Sequence, residues 1–331
     1  MKELSKQIGQ LFILGFPGET PSSSFLNFIA EEGIGGVILF EENCPTHART
    51  RETIEQIRTS ITGREPFIAV DQEGGRICRL RGAPAEYRAP LTYGREGTVD
   101  HFKEDYTRAA VYLESLGFNL NLAPVADVCT EENDWLKDRC FGDNPETVAE
   151  FVQASVAVAH EAGLLCCLKH FPGLGSSVID PHEKTARADY DEILWEQRDR
   201  KPFTAGIAAG ADLIMTTHLL ARRLDKQIVT GSARIVSELL RQQIGFDGPV
   251  ITDDLTMAGA ASLGTAGERA VAAFKAGHDL LLFGRDFDAA VEAYETFVSA
   301  VQHGEIDEQR LSASLARISG LKFILERTIA Q

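Results

Sequence analysis

The 331-residue sequence predicts a (β/α)8 barrel of the TIM type. Two patterns lead to this fold class: eight short apolar runs recur along the chain, and segments with helical spacing of apolar residues separate them. The length agrees, because such barrels commonly exceed ~250 residues as one domain. A doubly wound open sheet shows the same alternation and is the alternative fold.

The apolar runs have the length of buried strands, and glycine bounds several of them. The run that begins after Gly163 is typical, because its polar residues start only at its carboxyl end. The predicted strands are residues 11–16, 36–40, 67–71, 118–124, 164–170, 213–218, 249–253 and 280–284.

The segments between the strands place apolar residues three and four positions apart, as amphipathic helices do. They are residues 21–32, 49–61, 99–116, 145–162, 194–209, 233–243, 264–276 and 288–301, with a last helix over 307–326. Five glycines each follow one of these segments, and we expect them to end the helices. They are Gly117, Gly163, Gly210, Gly245 and Gly277.

The composition, with 44% hydrophobic and 25% charged residues, is that of a soluble protein with a large core. No linker rich in proline, glycine or serine interrupts the alternation, so we expect one domain over residues 1–331. The net charge of −16 is spread without a basic cluster, so we expect no nucleic-acid partner. Neither a signal peptide nor a membrane-spanning run is visible, so we expect a cytoplasmic protein without a membrane partner.

The six cysteines show no Cys-x-x-Cys spacing, so we expect buried, reduced thiols. Cys166 and Cys167 are adjacent in a predicted strand, and their side chains therefore point to opposite faces. No set of histidine, cysteine and carboxylate residues has the closed spacing of a zinc site. We expect neither a metal nor another cofactor.

Polar residues follow the predicted strands at their carboxyl ends, which in a barrel meet on one rim and carry the catalytic groups. They are Asp71 and Glu73 after strand three, Asp127 and Arg139 after strand four, Lys169 and His170 after strand five, His218 after strand six, and Asp253 and Asp254 after strand seven. A salt bridge or a helix cap would explain each one alone. Their convergence on one rim predicts a catalytic site.

Two pairs within this polar set suit acid/base and nucleophilic chemistry. Strand alternation predicts that only one of Asp253 and Asp254 faces the barrel mouth, while the other is a support that caps the next helix. Asp180 lies two residues before His182, a spacing at which a carboxylate can hold and orient an imidazole. The same spacing also occurs in metal sites and by chance on surfaces.

Six segments carry these residues in a fixed order and extend over most of the chain. They are residues 70–76 (VDQEGGR), 121–128 (NLAPVADV), 138–142 (DRCFG), 169–173 (KHFPG), 180–182 (DPH) and 252–257 (TDDLTM). Together they resemble glycoside hydrolase family 3, and within it the single-domain bacterial β-N-acetylglucosaminidases of cell-wall recycling.

The resemblance implies a retaining exo-β-N-acetylglucosaminidase that removes terminal N-acetylglucosamine from peptidoglycan-derived fragments. It implies that Asp253 is the nucleophile and forms a covalent glycosyl-aspartate, with Asp254 as its supporting neighbour. By the same resemblance, His182 is the acid/base and Asp180 orients it.

The resemblance also implies four sugar-binding residues, Asp71, Arg139, Lys169 and His170, which hold ring hydroxyls through charge-assisted hydrogen bonds. A polar network that only stiffens the rim is the alternative for these four. The chain departs from the family at Leu174, where related sequences carry a histidine. This change leaves the proposed His182 dyad intact but affects the expected substrate specificity.

Three other functions stay open at the level of the sequence. A histidine acid/base lacks the fixed negative charge that would repel phosphate, which favours a phosphorylase of β-N-acetylglucosaminides or β-glucosides. The change at Leu174 is compatible with a non-catalytic sugar-binding descendant. Lys169 also occupies the position of a Schiff-base lysine in an aldolase-like barrel, a role that would require a lowered pKa.

Overall fold

Eight parallel strands form a closed barrel in the computed structural model, which describes residues 2–189 and 191–329. We number the barrel strands β1 Phe12–Leu14, β2 Gly36–Leu39, β3 Phe67–Val70, β4 Leu120–Asn121, β5 Leu165–Phe171, β6 Leu213–Thr216, β7 Val250–Ile251 and β8 Leu281–Phe283. Consecutive strands are neighbours from β1 to β7, and β8 pairs with β1, where Phe12 lies opposite Leu281. A parallel bridge between Ile251 and Leu280 closes the ring. The predicted barrel is confirmed, and the open sheet is excluded.

Every predicted strand region contains a barrel strand, but several strands are shorter than their apolar run. All residues of β3 and β5 are buried, because the barrel interior covers one face and the helices cover the other. In the run 118–124 only two residues form a ladder, since Pro124 has no N–H to donate.

Helices form the outer layer. They are α1 Lys2–Gly9, α2 Ser23–Glu31, α3 His47–Ser60, α4 Pro90–Glu96, α5 Val99–Leu116, α6 Pro145–Glu161, α7 Glu192–Gln197, α8 Arg200–Ala208, a π-helical segment Arg234–Gln243, α9 Ala266–Ala276, α10 Phe287–Gln302 and α11 Glu308–Ile329. The five glycines predicted to end helices all have positive φ, between 80° and 128°. The sequence did not predict α1 or α4.

Short elements outside the barrel order the loops of the carboxyl rim. Strands Gln72–Gly74 and Ile77–Cys78 pair antiparallel, and strands Ala186–Ala188 and Leu219–Ala221 pair in parallel. The 3₁₀ turns are Glu41–Asn43, Lys137–Arg139, Val229–Gly231 and Ala258–Leu263.

The helix predicted over 194–209 was wrong as a single element, because the chain breaks between α7 and α8. Pro202 lies in the first turn of α8, where it lacks an N–H and its ring would clash with the carbonyl group of Arg198. Asp199, the residue after Arg198, is buried, and its carboxylate accepts a hydrogen bond from Nη2 of Arg198 at 2.8 Å.

The last helix, α11, is fastened across the amino ends of the barrel strands. Lys322 is buried and donates from Nζ to Oε1 of Gln10 and to the carbonyl oxygen of Gly35, both at 2.8 Å. Burial lowers the pKa of Lys322 to about 7. Arg310, at the start of the same helix, lies 3.1 Å from the buried carboxylate of Asp279.

All six cysteines are free and buried, as predicted. Within the two described ranges, no helix combines the length and the apolar character that crossing a bilayer requires.

Candidate active site

One cleft opens at the carboxyl ends of the barrel strands, and the seven residues that the resemblance assigned to catalysis or sugar binding line it. They are Asp71, Arg139, Lys169, His170, Asp180, His182 and Asp253. Its volume of about 190 Å³ is smaller than the roughly 300–1,000 Å³ of sites for drug-sized ligands, and it suits a ligand with one ring. Apolar side chains complete the wall, among them Phe40, Leu122, Met215 and Met257.

Four charged residues form a buried network on one side of this cleft. The carboxylate of Glu73 accepts from Nε and Nη2 of Arg139 at 2.7 and 2.8 Å. Nζ of Lys169 lies 2.6 Å from Glu73 and 2.7 Å from Asp71. The side chains of Glu73 and Lys169 are only 1% and 3% exposed. The sequence predicted Asp71, Arg139 and Lys169 for the site but gave no role to Glu73, which joins the two cations.

The charges of this network stabilise one another against burial. Burial alone would raise the pKa of both carboxyl groups, but Arg139 and Lys169 hold the pKa of Glu73 well below its usual range, and Lys169 lowers the pKa of Asp71. Burial would lower the pKa of Lys169, but Asp71 and Glu73 raise it above its ordinary value. Lys169 is therefore held as an ammonium ion, contrary to the requirement of a Schiff-base lysine.

His170 is oriented by a buried carboxylate. Nδ1 of His170 lies 2.7 Å from Oδ2 of Asp127, which also accepts the backbone N–H of His170 at 3.2 Å. Because a carboxylate only accepts, Nδ1 carries the proton and Nε2 faces Arg139 at 3.4 Å. Oδ1 of Asp127 accepts the backbone N–H of Leu174 at 2.6 Å. Leu174, the departure from the family pattern, thus holds the loop through its main chain.

Arg79 is a cleft residue that the sequence reasoning missed. Its guanidinium lies 3.6 Å from Oδ2 of Asp71 and 5.9 Å from the centre of the Phe40 ring. Its Nε is buried without a hydrogen-bond partner among the described residues. The sequence signal for Arg79 was its position in the loop after β3, which lies on the same rim of the barrel as Asp71.

Asp253 and Asp254 both line the cleft, so the prediction that only one faces the barrel mouth was wrong. The reason is that β7 ends at Ile251, and strand alternation does not extend to these residues. Oδ1 of Asp253 accepts the backbone N–H of Asp254 at 2.8 Å.

The two carboxylates nevertheless differ. Oδ1 of Asp254 accepts from the backbone N–H and the hydroxyl of Thr256, at 2.9 and 2.8 Å, and from the N–H of Gly284 at 3.0 Å. Burial raises the pKa of Asp254. Asp254 therefore supports its loop and β8 and caps no helix, contrary to the prediction, while Asp253 is the less constrained carboxylate.

His218, at the end of β6, lies behind this loop. Its Nε2 donates to the carbonyl oxygen of Asp254 at 2.8 Å, and its Nδ1 accepts from the hydroxyl of Thr230 at 2.7 Å. Burial lowers the pKa of His218. The neutral imidazole with the proton on Nε2 satisfies both contacts.

Asp180 and His182 form the predicted pair. Oδ1 of Asp180 accepts the backbone N–H of His182 at 2.9 Å and lies 2.8 Å from its Nδ1. This places the proton of the neutral ring on Nδ1 and leaves Nε2 without a partner among the described residues. The His182 side chain is 65% exposed, so Nε2 can exchange protons with a ligand or with water.

One group of potential metal ligands exists in the described residues, and it lies away from the cleft at the amino end of β5. It consists of His160, Cys166 and Asp212. Nε2 of His160 lies 2.9 Å from the carboxylate of Asp212, which also accepts the backbone N–H of Cys166 at 2.9 Å. An ion pair and a backbone hydrogen bond thus account for this group, and the expected absence of metal stays a prediction.

Comparison with known proteins agrees with this geometry. The model of the glycosyl hydrolase family 3 N terminal domain matches residues 3–321. A beta-hexosaminidase of Xanthomonas campestris pv. campestris is 32% identical over 280 residues, which cover 82% of this chain and 83% of the relative.

Two solved structures extend the comparison. The family 3 beta-N-acetylglucosaminidase of Paenibacillus sp. superposes with a TM-score of 0.94 at 29% identity, over 98% of this chain and 62% of that chain. The beta-N-acetylhexosaminidase of Beutenbergia cavernae gives a TM-score of 0.90 at 30% identity, over 96% of this chain and 98% of that chain. The present chain thus spans about two thirds of the first structure and nearly all of the second. It belongs to glycosyl hydrolase family 3 and is a glycoside hydrolase.

Proposed function

We propose that the chain is a retaining exo-β-N-acetylglucosaminidase that hydrolyses terminal β-linked N-acetylglucosamine. The observation that carries this proposal is the presence, in one cleft, of a carboxylate at Asp253 that forms no ion pair with another described residue, and a carboxylate–imidazole dyad at Asp180 and His182. A nucleophile and a separate proton donor are what a double displacement at an anomeric carbon requires. The names of the Xanthomonas and Beutenbergia relatives support an N-acetylhexosamine as the sugar.

In the first half-reaction, a carboxylate oxygen of Asp253 attacks the anomeric carbon. The bond between that carbon and the glycosidic oxygen breaks, and its electron pair goes to the leaving oxygen, which takes a proton from His182. The product is a glycosyl ester of Asp253 and a released alcohol. Asp180 supports this step, because its contact with Nδ1 orients the ring and leaves Nε2 to carry the transferred proton.

In the second half-reaction, neutral His182 accepts a proton from water while the water oxygen attacks the same carbon. The ester bond to Asp253 breaks and returns its electron pair to the carboxylate. Two inversions give net retention of configuration. His182 ends protonated, as it began.

We assign sugar binding to the buried network beside the nucleophile. Lys169 and Arg139 are fixed donors, and Asp71 is a fixed acceptor, so they can bind ring hydroxyls without reorganising. Nε2 of His170, whose ring is held by Asp127, adds one further polar contact. The unpartnered Nε of Arg79 supports its inclusion in this set.

The change at Leu174 argues little against catalysis. Leu174 is buried, and its backbone N–H retains a contact with Asp127 at 2.6 Å. The loop therefore keeps an anchor that does not depend on the side chain. Phosphorolysis and sugar binding without hydrolysis become two outcomes of the experiment described below.

The compartment and the natural substrate stay predictions. Six free, buried cysteines support a reducing compartment such as the cytoplasm. Peptidoglycan-derived fragments would be available there during cell-wall recycling. The organisation of residues 1–331 as one catalytic domain also stays a prediction, which a continuous hydrophobic core from Ile8 to Leu325 supports.

The decisive experiment compares release of 4-nitrophenol from the β-N-acetylglucosaminide and the β-glucoside, in phosphate-free and in phosphate buffer. We expect release from the N-acetylated substrate alone, with free sugar as product and a loss on the order of 10²-fold or more in His182→Ala. The matched control is His303→Ala, which removes an exposed histidine at the end of α10.

Three results would contradict the proposal. Sugar 1-phosphate formed in phosphate buffer would establish a phosphorylase. Binding of N-acetylglucosamine without release of 4-nitrophenol would establish a sugar-binding protein. Preferential cleavage of the glucoside would reject the proposed sugar.

A further inference from the structure

Two loops carry the proposed catalytic groups, and each comes from a different strand of the barrel. The nucleophile loop, residues 252–263, follows β7 and contains Asp253. The acid/base loop, residues 173–187, follows β5 and contains Asp180 and His182. Because the His182 side chain is mostly exposed, the position of its Nε2 relative to Asp253 depends on how these loops contact each other.

The loops meet at Gly259. The backbone N–H of Gly259 donates to the carbonyl oxygen of Pro181 at 3.0 Å, and its own carbonyl oxygen accepts from the hydroxyl of Thr185 at 3.2 Å. Pro181 lies between the two members of the dyad, Asp180 and His182. One residue of the nucleophile loop therefore holds the backbone of the dyad itself.

The position of Gly259 has no room for a side chain. A Cβ atom there would lie 2.8 Å from Cβ of His218 and 2.9 Å from the carbonyl oxygen of Pro181. Real Cβ atoms essentially never approach so closely, so one of these neighbours would have to move. Glycine is required here by close approach and not by an unusual backbone conformation.

His218 is the less movable of the two neighbours. It is fully buried and bonded at both ring nitrogens, and its Nε2 holds the carbonyl oxygen of Asp254 beside the nucleophile. Pro181 is also buried, but it lies in a loop in which Asp180 is partly exposed and the next three residues, 182–184, are exposed. A methyl group on Gly259 would therefore push Pro181, and the dyad with it, away from the nucleophile loop.

We propose that Gly259 is a positioning residue that sets the distance between the acid/base His182 and the nucleophile Asp253. The inference rests on the proposed function, since it assumes those two roles. Gly259 does not line the cleft, whereas Pro181 does, so Gly259 acts through Pro181. Its loss should weaken proton donation to the leaving group and leave the nucleophile in place.

The test is the dependence of kcat/KM on the leaving group, because kcat/KM reports the first half-reaction. The phenol of phenyl β-N-acetylglucosaminide needs a proton on its oxygen in order to leave. The 2,4-dinitrophenyl glycoside, in contrast, releases 2,4-dinitrophenolate readily as an anion. In Gly259→Ala we expect a loss on the order of 10²-fold with the phenyl glycoside, as a displacement of about 1 Å can produce. With the dinitrophenyl glycoside we expect less than about a fivefold loss.

A milder pair of variants guards against misfolding of Gly259→Ala. Thr185→Ala removes only the hydrogen bond from its hydroxyl group to Gly259. We expect kcat/KM to fall about fivefold with the phenyl glycoside and by less with the dinitrophenyl glycoside. Thr185→Ser keeps a hydroxyl and should restore wild-type values. Gly320→Ala is the matched control, because a Cβ at this position in α11 has no neighbour within 4 Å.

The outcomes separate this inference from the proposed function. The positioning role would be overturned if Gly259→Ala and Thr185→Ala each lost the same factor in kcat/KM with both glycosides. It would also be overturned if neither variant lost activity. His182→Ala decides the function independently, because it must show the leaving-group pattern if His182 is the acid. If His182→Ala shows the pattern and the other variants do not, the positioning role alone fails.

Discussion

Glu73 and Arg139, 66 positions apart in the sequence, form a two-point ion pair at 2.7 and 2.8 Å inside the cleft. Glu73 also contacts Lys169, which pairs with Asp71 as well. Removing the charge of Glu73 would leave the buried Arg139 without an ion-pair partner among the described residues and Lys169 with Asp71 alone, and an uncompensated buried charge is costly.

We therefore expect Glu73→Gln to lower the free energy of unfolding by about 3–5 kcal/mol, measured by urea denaturation at neutral pH. Glu41→Gln is the control, because the pair of Glu41 with Arg81 is about half exposed and should contribute at most about 1 kcal/mol. Equal effects of the two variants would show that the buried network contributes no more than a surface pair.

Asp127→Asn tests the orientation of His170. An amide can still accept from one of its partners but cannot hold the imidazole and the N–H of Leu174 as a carboxylate does. We expect kcat/KM for the N-acetylglucosaminide to fall about tenfold, mainly through KM, since a hydrogen bond to a charged group contributes about 1.5–3 kcal/mol. Kinetics within twofold of wild type would show that Asp127 does not control substrate binding.

Asp253→Ala and Asp254→Asn distinguish the nucleophile from its neighbour. Without Asp253 no glycosyl ester can form, so we expect turnover to fall by roughly 10³-fold or more. Asp254→Asn keeps an acceptor oxygen for Thr256 and Gly284, and we expect less than about a tenfold loss. Mass spectrometry after rapid quenching should find the glycosyl adduct on residue 253, and an adduct on residue 254 would reverse the assignment.

Lys322 should make stability depend on pH. Its pKa is about 7 in the folded protein and about 10.4 in an unfolded chain. Between these values the unfolded chain binds more protons at this side chain, so the free energy of unfolding rises with pH, by at most about 1.4 kcal/mol per unit. Below pH 7 both states are protonated and this contribution is constant.

The measurement is urea denaturation of wild type and Lys322→Met at several pH values between about 7 and 10. The difference between their free energies of unfolding should shift in favour of wild type as the pH rises. Lys275→Met, which removes a half-exposed lysine of α9, should show no such trend. A constant difference for Lys322→Met would mean that this lysine stays charged when buried.

Local patterns were sufficient to predict most of the barrel. The helix predicted over 99–116 matches α5 residue for residue, because Gly117 takes the left-handed conformation that ends it. The seven-residue α4 is too short to show a helical period, and Gly94 within it packs against the main chain at Phe141. The break before α8 had a signal in Pro202, which outweighs a continuous apolar period.

The site was predictable where a strand end carries the residue, as for Asp71, Lys169 and Asp253. The contacts that fix those residues come from loops far away in sequence, such as Arg139 on Glu73. Sequence spacing contains no information on these distances. Gly259 shows the same limit, because only the folded loops reveal that its missing side chain is needed.

Pairing of the first and last barrel strands has a consequence for synthesis of the chain. Phe12 finds its partner Leu281 only after some 270 further residues have left the ribosome, so β1 and the newest strand are both unprotected edges throughout translation. A nascent chain interrupted before β8 would keep those edges and expose the apolar faces that α11 and α10 later cover. Truncated products of this gene should therefore be captured by chaperones or aggregate, rather than persist as partly active enzyme.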